Sequence, residues 1–245
     1  MKTRRTLATA RRVLRQLRHD PRTVALLLAV PCVLEILIHA LFTDSPASFQ
    51  KLGVPLLGLF PFIAMFIVTS ITMLRERVSG TLERLLTTPL ARGDLLVGYG
   101  LAFALVAAAQ ASLVSALSFG VLGLDAGHAT VAVVVLAIAN AILGMALGLF
   151  ASAFAHTEFQ AVQFMPAFVL PQILLCGLIV PRDEMAGWLQ AISAVLPLTY
   201  AYDALARLAS TEPLGARFWA DVAVIAGVTV LSLALGAATL RRRTA

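Results

Sequence analysis

Charge, lysine and cysteine are all scarce in this sequence, and each shortage closes off a class of function. Of 245 residues only 13% are charged, 60% are hydrophobic and the mean hydropathy is +0.90. A soluble domain carries about 25% charge, so this composition is that of an integral membrane protein. Lys2 and Lys51 are the only lysines, and neither ends the Gly-rich turn whose amides and lysine hold nucleotide phosphates, so ATP hydrolysis by this chain is not expected. Cys32 and Cys176 both fall inside apolar runs; they imply no disulfide framework, fit packing roles, and leave their redox state open. His19, His39, His128 and His156 show no metal-ligand spacing. No Gly stands two residues before Ser79, so the Ser79-Gly80 pair is not a nucleophile elbow, and neither a catalytic set nor a metal site is expected. The first twenty residues are too broken by charge for a cleavable secretory leader. Internal repeats are missing too, which counts against the inverted-repeat transporters. The formal charge of +6 sits beside apolar runs without interleaved aromatics, so no nucleic-acid partner is expected.

What is present is six apolar runs, at 23–42, 54–73, 95–122, 129–155, 161–180 and 218–240. Each is near or above the roughly 20 residues that cross a bilayer, which predicts an all-α protein with six transmembrane helices. Ahead of them, residues 1–20 carry seven cations, from Lys2 to Arg18, with Leu7, Ala10, Leu14 and Leu17 on one helical face. That reads as an amphipathic helix in the headgroup layer, or as a solvated basic tail that only sets topology. Asp20 followed by Pro21 reads as a helix cap and first helical position. With both termini inside, fifteen cations are cytoplasmic and four, Lys51, Arg182, Arg207 and Arg217, are external. This positive-inside bias predicts a multi-pass plasma-membrane protein with cytoplasmic N- and C-termini. Residues 181–217 read as two short external helices, 187–195 and 200–209, broken at Pro197, with Trp188, Tyr200 and Tyr202 suited to an interfacial belt.

Polar residues inside the spans are candidates for the substrate path. Glu35 and His39 lie four apart on one helical face. A carboxylate at depth, disfavoured by roughly 2.5–3.5 kcal/mol, calls for a water-filled path, or for a structural pairing with His39 near the headgroups. Gln110, Asn140, Gln163 and Gln172 fit bonds between helices or contacts with cargo. Pro166 and Pro171 free backbone carbonyls and permit a kink.

The one charged, punctuated segment between two long runs is 75–94. The helix arriving from residue 54 is expected to end or bend at Gly80, Ser79 or Thr81 can cap a new one, Leu82, Leu85 and Leu86 share a face, and Glu83 lies near its start. Pro89 ends it, and Asp94 is placed to cap the next span. Physics alone leaves open a passive loop resting on headgroups or a short lever tied to two spans. The string Arg75-Glu76-Arg77, Ser79-Gly80-Thr81-Leu82-Glu83 and Pro89 resembles the hallmark loop of ABC-2 type permeases. LIVPRDEMAGWLQAISAVLPLTYAYDAL, residues 178–205, is similar to that family's external hairpin, with Leu196 where the family often has Asn. The wording is most similar to the drug and antibiotic exporter branch.

The resemblance implies a cytoplasmic coupling helix at about 81–88 seated in a separate nucleotide-binding ATPase, with ATP and Mg2+ bound by that partner. It implies a re-entrant hairpin capping the path, including Pro181, Trp188, Pro197 and Tyr200. It further implies a homodimer of permeases with two ATPase subunits, moving a small hydrophobic or amphipathic molecule through the lipid bilayer. Two other functions remain open: a proton-coupled secondary transporter using Glu35 and His39, and ABC export of a lipid-linked glycan.

Overall fold

The computed structural model describes residues 3–81, 92–210 and 214–239. Among them every regular element is helical. The long elements are α1 (Thr3–Arg18), α2 (Pro21–Leu41), α3 (Pro46–Val78), α4 (Arg92–Gly120) and α5 (Thr130–Ala151). After these come α6 (Glu158–Phe164), a π-helical turn Met165–Val169, and α7 (Leu170–Leu175). Two short helices, α8 (Gly187–Ser193) and α9 (Pro197–Ala209), then lead to α10 (Ala216–Thr239). Among the described residues five helices, α2 to α5 and α10, are long and apolar enough to cross a membrane.

The expected run 161–180 is the exception. It is helical from Glu158 to Leu175 but split by the π turn that contains Pro166. Proline has no N–H for the α-helical bond and its ring crowds the preceding carbonyl, so the helix widens there. α3 departs the other way: its 33 residues reach well beyond 54–73 and continue through Pro55 and Pro61. At 1.5 Å per residue it is about 50 Å long, against roughly 30 Å of hydrocarbon.

The seam between α3 and α5 is the centre of the molecule. A Cβ added at Gly144 would stand 2.2 Å from the Phe62 carbonyl oxygen, and one at Gly148 would stand 2.4 Å from that of Phe66. These two glycines, four residues apart on one face of α5, let the backbones touch, and Thr69 adds a hydrogen bond from Oγ1 to the Met145 carbonyl at 3.2 Å. Lipid gives no hydrophobic drive for helices to associate, so such close packing carries the association instead.

The ends of the helices sort into two groups. At one, Gln50 donates to the Gly123 carbonyl and accepts from Asp125 N, both at 2.9 Å, tying the start of α3 to the turn after α4. At the other, Arg12 meets Glu76 and Arg75 meets Glu158, so α1, the end of α3 and the start of α6 converge. The far end of α10 belongs with this second group, since Gly236 lies beside Phe150 and Leu233 beside Gly100.

α1 packs on α4 through Thr6, Thr9, Ala10, Val13 and Leu17, all buried. Of the expected apolar face, Ala10 and Leu17 turn inward and Leu14 is half-buried, while Leu7 is 63% exposed. The cause is Gly98 of α4: a Cβ there would be 2.6 Å from Thr9 Cβ, so the small threonine side turns inward and Leu7 turns out.

Candidate functional site at the Arg75 end

The last turn of α3 is the origin of the hallmark segment, and its geometry follows from a helix-stop signal. Gly80 has φ +68°, the left-handed conformation that glycine adopts without a Cβ clash. Ser79 N bonds the Arg75 carbonyl and Gly80 N bonds that of Arg77, which closes the helix as the sequence led one to expect. Ser79 Oγ and Thr81 Oγ1 lie 2.9 Å apart just beyond it. Leu82, Glu83, Leu85, Leu86 and Pro89 lie outside the described residues.

Two adjacent side chains on this turn reach different elements. The Glu76 carboxylate, only 3% exposed, accepts two hydrogen bonds from Arg12 Nη2, at 2.9 and 3.0 Å. Arg75 forms a fork with Glu158, Nε to Oε1 at 2.8 Å and Nη2 to Oε2 at 2.9 Å. The guanidinium holds the Glu158 carboxyl below its ordinary range. Charge-assisted bonds in paired geometry are directional, so this turn is fixed to α1 on one side and α6 on the other. Glu76 therefore faces inward. Sequence reading paired neither residue, because the partners are 64 and 83 positions away. One signal was available: Glu158 is the only acidic residue between Asp125 and Asp183.

Asp20 caps α2 as expected, accepting from Thr23 N at 3.2 Å and Thr23 Oγ1 at 2.6 Å, which lowers its carboxyl from the ordinary value. Asp94 differs from expectation. It lies within the first turn of α4, whose described part starts at Arg92, and it is buried with no hydrogen-bond partner at Oδ1 among the described residues.

The polar residues within the spans do not converge on one place. Gln110 Nε2 donates to the Leu27 carbonyl at 2.6 Å. That carbonyl would bond the amide of residue 31 in an uninterrupted helix, but residue 31 is proline, so the glutamine of α4 repairs a vacancy in α2. Gln172 joins α7 to the hairpin, its Nε2 donating to the Phe168 carbonyl and its Oε1 accepting from Leu198 N. Asn140 is buried against Gly58, while Gln163 is exposed. Glu35 is fully buried, and neither oxygen has a hydrogen-bond partner among the described residues. His39 does not pair with it; its ring packs edge-on against Phe49 at 4.9 Å.

The segment after α7 folds back through α8 and α9. Pro197 opens α9 as its first residue instead of merely ending α8, so this helix begins three residues earlier than expected. Leu196 occupies the cap position without a side-chain cap bond, as a leucine must. Thr199 Oγ1 donates to the Ser193 carbonyl and Tyr200 Oη to that of Ala194, so the hairpin is stitched internally. Pro181 precedes a short turn that aims Arg182 at Asp203, 2.9 Å away, and Arg207 lies 3.5 Å from Asp221. Leu205 packs on Gly58 of α3, and Trp188 is 67% exposed.

A paired, glycine-ended turn at one end of a bundle of apolar helices, followed by a short folded-back helical pair before the last long helix, is the arrangement of a membrane-embedded permease. Residues 4–208 match the family model for the ABC-2 type transporter, and the chain belongs to that family. It is 31% identical over 151 residues to the Probable multidrug ABC transporter permease YbhR of Escherichia coli (strain K12), covering 60% of this chain and 40% of that protein. It is 28% identical over 168 residues to the Linearmycin resistance permease protein LnrN of Bacillus subtilis (strain 168), covering 69% and 42%. The ABC transporter G family member 20 of Dictyostelium discoideum is 23% identical over 147 residues, 20% of its length. The matched stretch thus spans less than half of these curated relatives.

Proposed function

We propose that this chain is the membrane subunit of an ATP-driven exporter, moving a small hydrophobic or amphipathic drug-like, antibiotic or lipid-like molecule out of the cell. In this reading α2 to α5 and α10 cross the plasma membrane together with a sixth, kinked crossing over residues 161–180. The Arg75 end and both termini face the cytoplasm. The pair α8–α9 re-enters the outer leaflet: Leu205 touches Gly58, twelve residues into α3, which at 1.5 Å per residue is about 18 Å below that helix's outer end. Two copies enclose the path, and each accepts a separate ATPase subunit that binds ATP and Mg2+ and seats the segment after Gly80.

One observation carries this reading, the double clamp at the end of α3. Force applied beyond Gly80 reaches α1 chiefly through the buried Glu76–Arg12 pair and α6 more weakly through the exposed Arg75–Glu158 pair. The turn is therefore built to convert a push from a partner into displacement of three elements.

Co-reconstitution with the ATPase subunit tests it. Expected is transport that requires hydrolysable nucleotide, persists after the proton gradient is dissipated, and loses coupling in Gly80→Val while ATP hydrolysis continues. Transport without any ATPase subunit that stops with the gradient would overturn the reading. It would favour a proton-coupled carrier, for which the buried, unpartnered Glu35 is the supporting observation; Glu35→Gln would then abolish transport.

A further inference from the structure

The exposed face of α1 carries a charge that no described residue balances. The helix holds six arginines and no acidic residue over Thr3–Arg18. Four of them, Arg4, Arg11, Arg15 and Arg18, are exposed. At 100° per residue these four fall within about 60° of one another, roughly opposite the face that packs on α4, and form a stripe about 21 Å long. None of their side chains has an ion-pair or hydrogen-bond partner among the described residues. The neighbouring carboxylates are already engaged or shut away. Glu76 accepts from Arg12, Glu158 from Arg75 and Asp20 from Thr23, while Asp94 is buried.

Packing fixes the level at which the stripe lies. Thr6 and Thr9 sit against Gly98, where a Cβ would stand 2.6 Å from Thr9 Cβ and 2.9 Å from the Thr6 carbonyl oxygen. The apolar crossing of α4 begins at Val97, and that of α2 begins at Pro21, just after α1 ends at Arg18. α1 is thus held where two crossings enter the hydrocarbon, at headgroup depth. Leu7, 63% exposed at the edge of the stripe, fits that boundary, because an apolar side chain beside cations is the composition of a helix lying in the headgroup layer.

We propose that the α1 stripe binds anionic phospholipid headgroups in the leaflet on the Arg75 side. Arginine suits this ligand, since its planar fork donates paired bonds to phosphate. A zwitterionic lipid carries the same phosphate together with its own cation, so net charge is what the stripe selects. The lipid is a bound partner and not cargo. The proposal therefore stands apart from the exporter reading and requires only that α2 and α4 cross the membrane.

The test uses the full chain in phosphatidylcholine nanodiscs, with Cys32 and Cys176 replaced and Ala8→Cys carrying bimane. Ala8 is exposed beside the stripe. Lipid with a nitroxide near the headgroup end of one acyl chain quenches bimane only at close range. Expected is quenching by nitroxide phosphatidylglycerol at about fivefold lower mole fraction than by nitroxide phosphatidylcholine, the advantage that one cation gains at an anionic surface. The preference should shrink in about 0.5 M NaCl, where charges are screened within a few Å. It should vanish when Arg4→Gln, Arg11→Gln, Arg15→Gln and Arg18→Gln are combined, and lysine at the same four positions should keep most of it. Bimane on Val121→Cys, 74% exposed in the turn after α4, should show no preference. Equal quenching by the two lipids at Ala8 would make the stripe a solvated or protein-binding face and overturn the proposal. A preference that survives the glutamine changes or high salt, or that is as large at Val121, would overturn it too. The salt series on the unaltered stripe decides the matter even where the four-glutamine variant fails to fold. No nucleotide, ATPase subunit or transport enters these measurements, so their outcome is separate from the fate of the exporter reading.

Discussion

Neighbouring residues at the end of α3 make ion pairs of different worth. Arg12→Ala strands Glu76, whose side chain is 3% exposed. Stripping one partner from a fully buried pair costs about 3–5 kcal/mol, and because Arg12 keeps a third of its surface in solvent, about 2 kcal/mol is expected here, read as a lower melting temperature in detergent. Arg75→Ala breaks a pair in which both side chains are more than half exposed. That should change stability by less than about 1 kcal/mol and by nothing measurable in high salt. The pH dependence of the second pair has a definite sign. Arg75 lowers the Glu158 carboxyl, so the folded state binds that proton less readily than the unfolded one. Its contribution is present above the ordinary carboxylate value, near about pH 4.3, and is lost as pH falls through the lowered value. Acid titration of the Glu158→Gln variant should lack this component.

Among the elements, two seams make opposite demands on small and polar residues. In α2 the proline at position 31 leaves the Leu27 carbonyl without its helical donor, and Gln110 supplies one from α4. Gln110→Leu should therefore cost about 1–2 kcal/mol, the penalty for an unsatisfied buried carbonyl. In a Pro31→Ala background, where the helix bond re-forms, the same change should cost much less, and a double-mutant cycle in unfolding measurements reads the difference. Between α3 and α5 the demand is for the absence of a side chain. Gly144→Ala and Gly148→Ala place a Cβ within 2.4 Å of backbone carbonyl oxygens, which cannot rotate away. Both should lower the melting temperature sharply. Gly227→Ala on α10 meets nothing within 4 Å and should be neutral or stabilising by up to about 1 kcal/mol through helix propensity.

For the whole molecule, the two ends defined by packing make a prediction about sidedness. In a background lacking Cys32 and Cys176, a cysteine at Val121, which is 74% exposed in the turn after α4, should react with a membrane-impermeant maleimide on intact cells. A cysteine at Val78, 69% exposed beside the Arg75 turn, should react only after permeabilisation. Labelling of both from the same side would invert or break the proposed topology.

Much of this whole was legible beforehand. Composition and run length give the class, because crossing a bilayer requires about 20 apolar residues wherever they lie in a fold. The Asp20–Pro21 cap and the stop at Gly80 are local signals, settled by backbone geometry within a few residues. The kink at Pro166 was visible for the same reason, although its outcome, a π turn that splits the helix, was not. Pairing was beyond reach: Arg12 with Glu76, Arg75 with Glu158 and Gln110 with Leu27 join residues 64 to 83 positions apart. The sequence by itself determined that this is a helical membrane chain, where α2 begins and α3 stops, and which family it belongs to, since those follow from local chemistry and from a motif read in order. Which face of α1 turns inward, which glycines form the central seam, and which charges clamp the α3 turn were decided only by tertiary structure, because packing distance and not chain separation selects contacts.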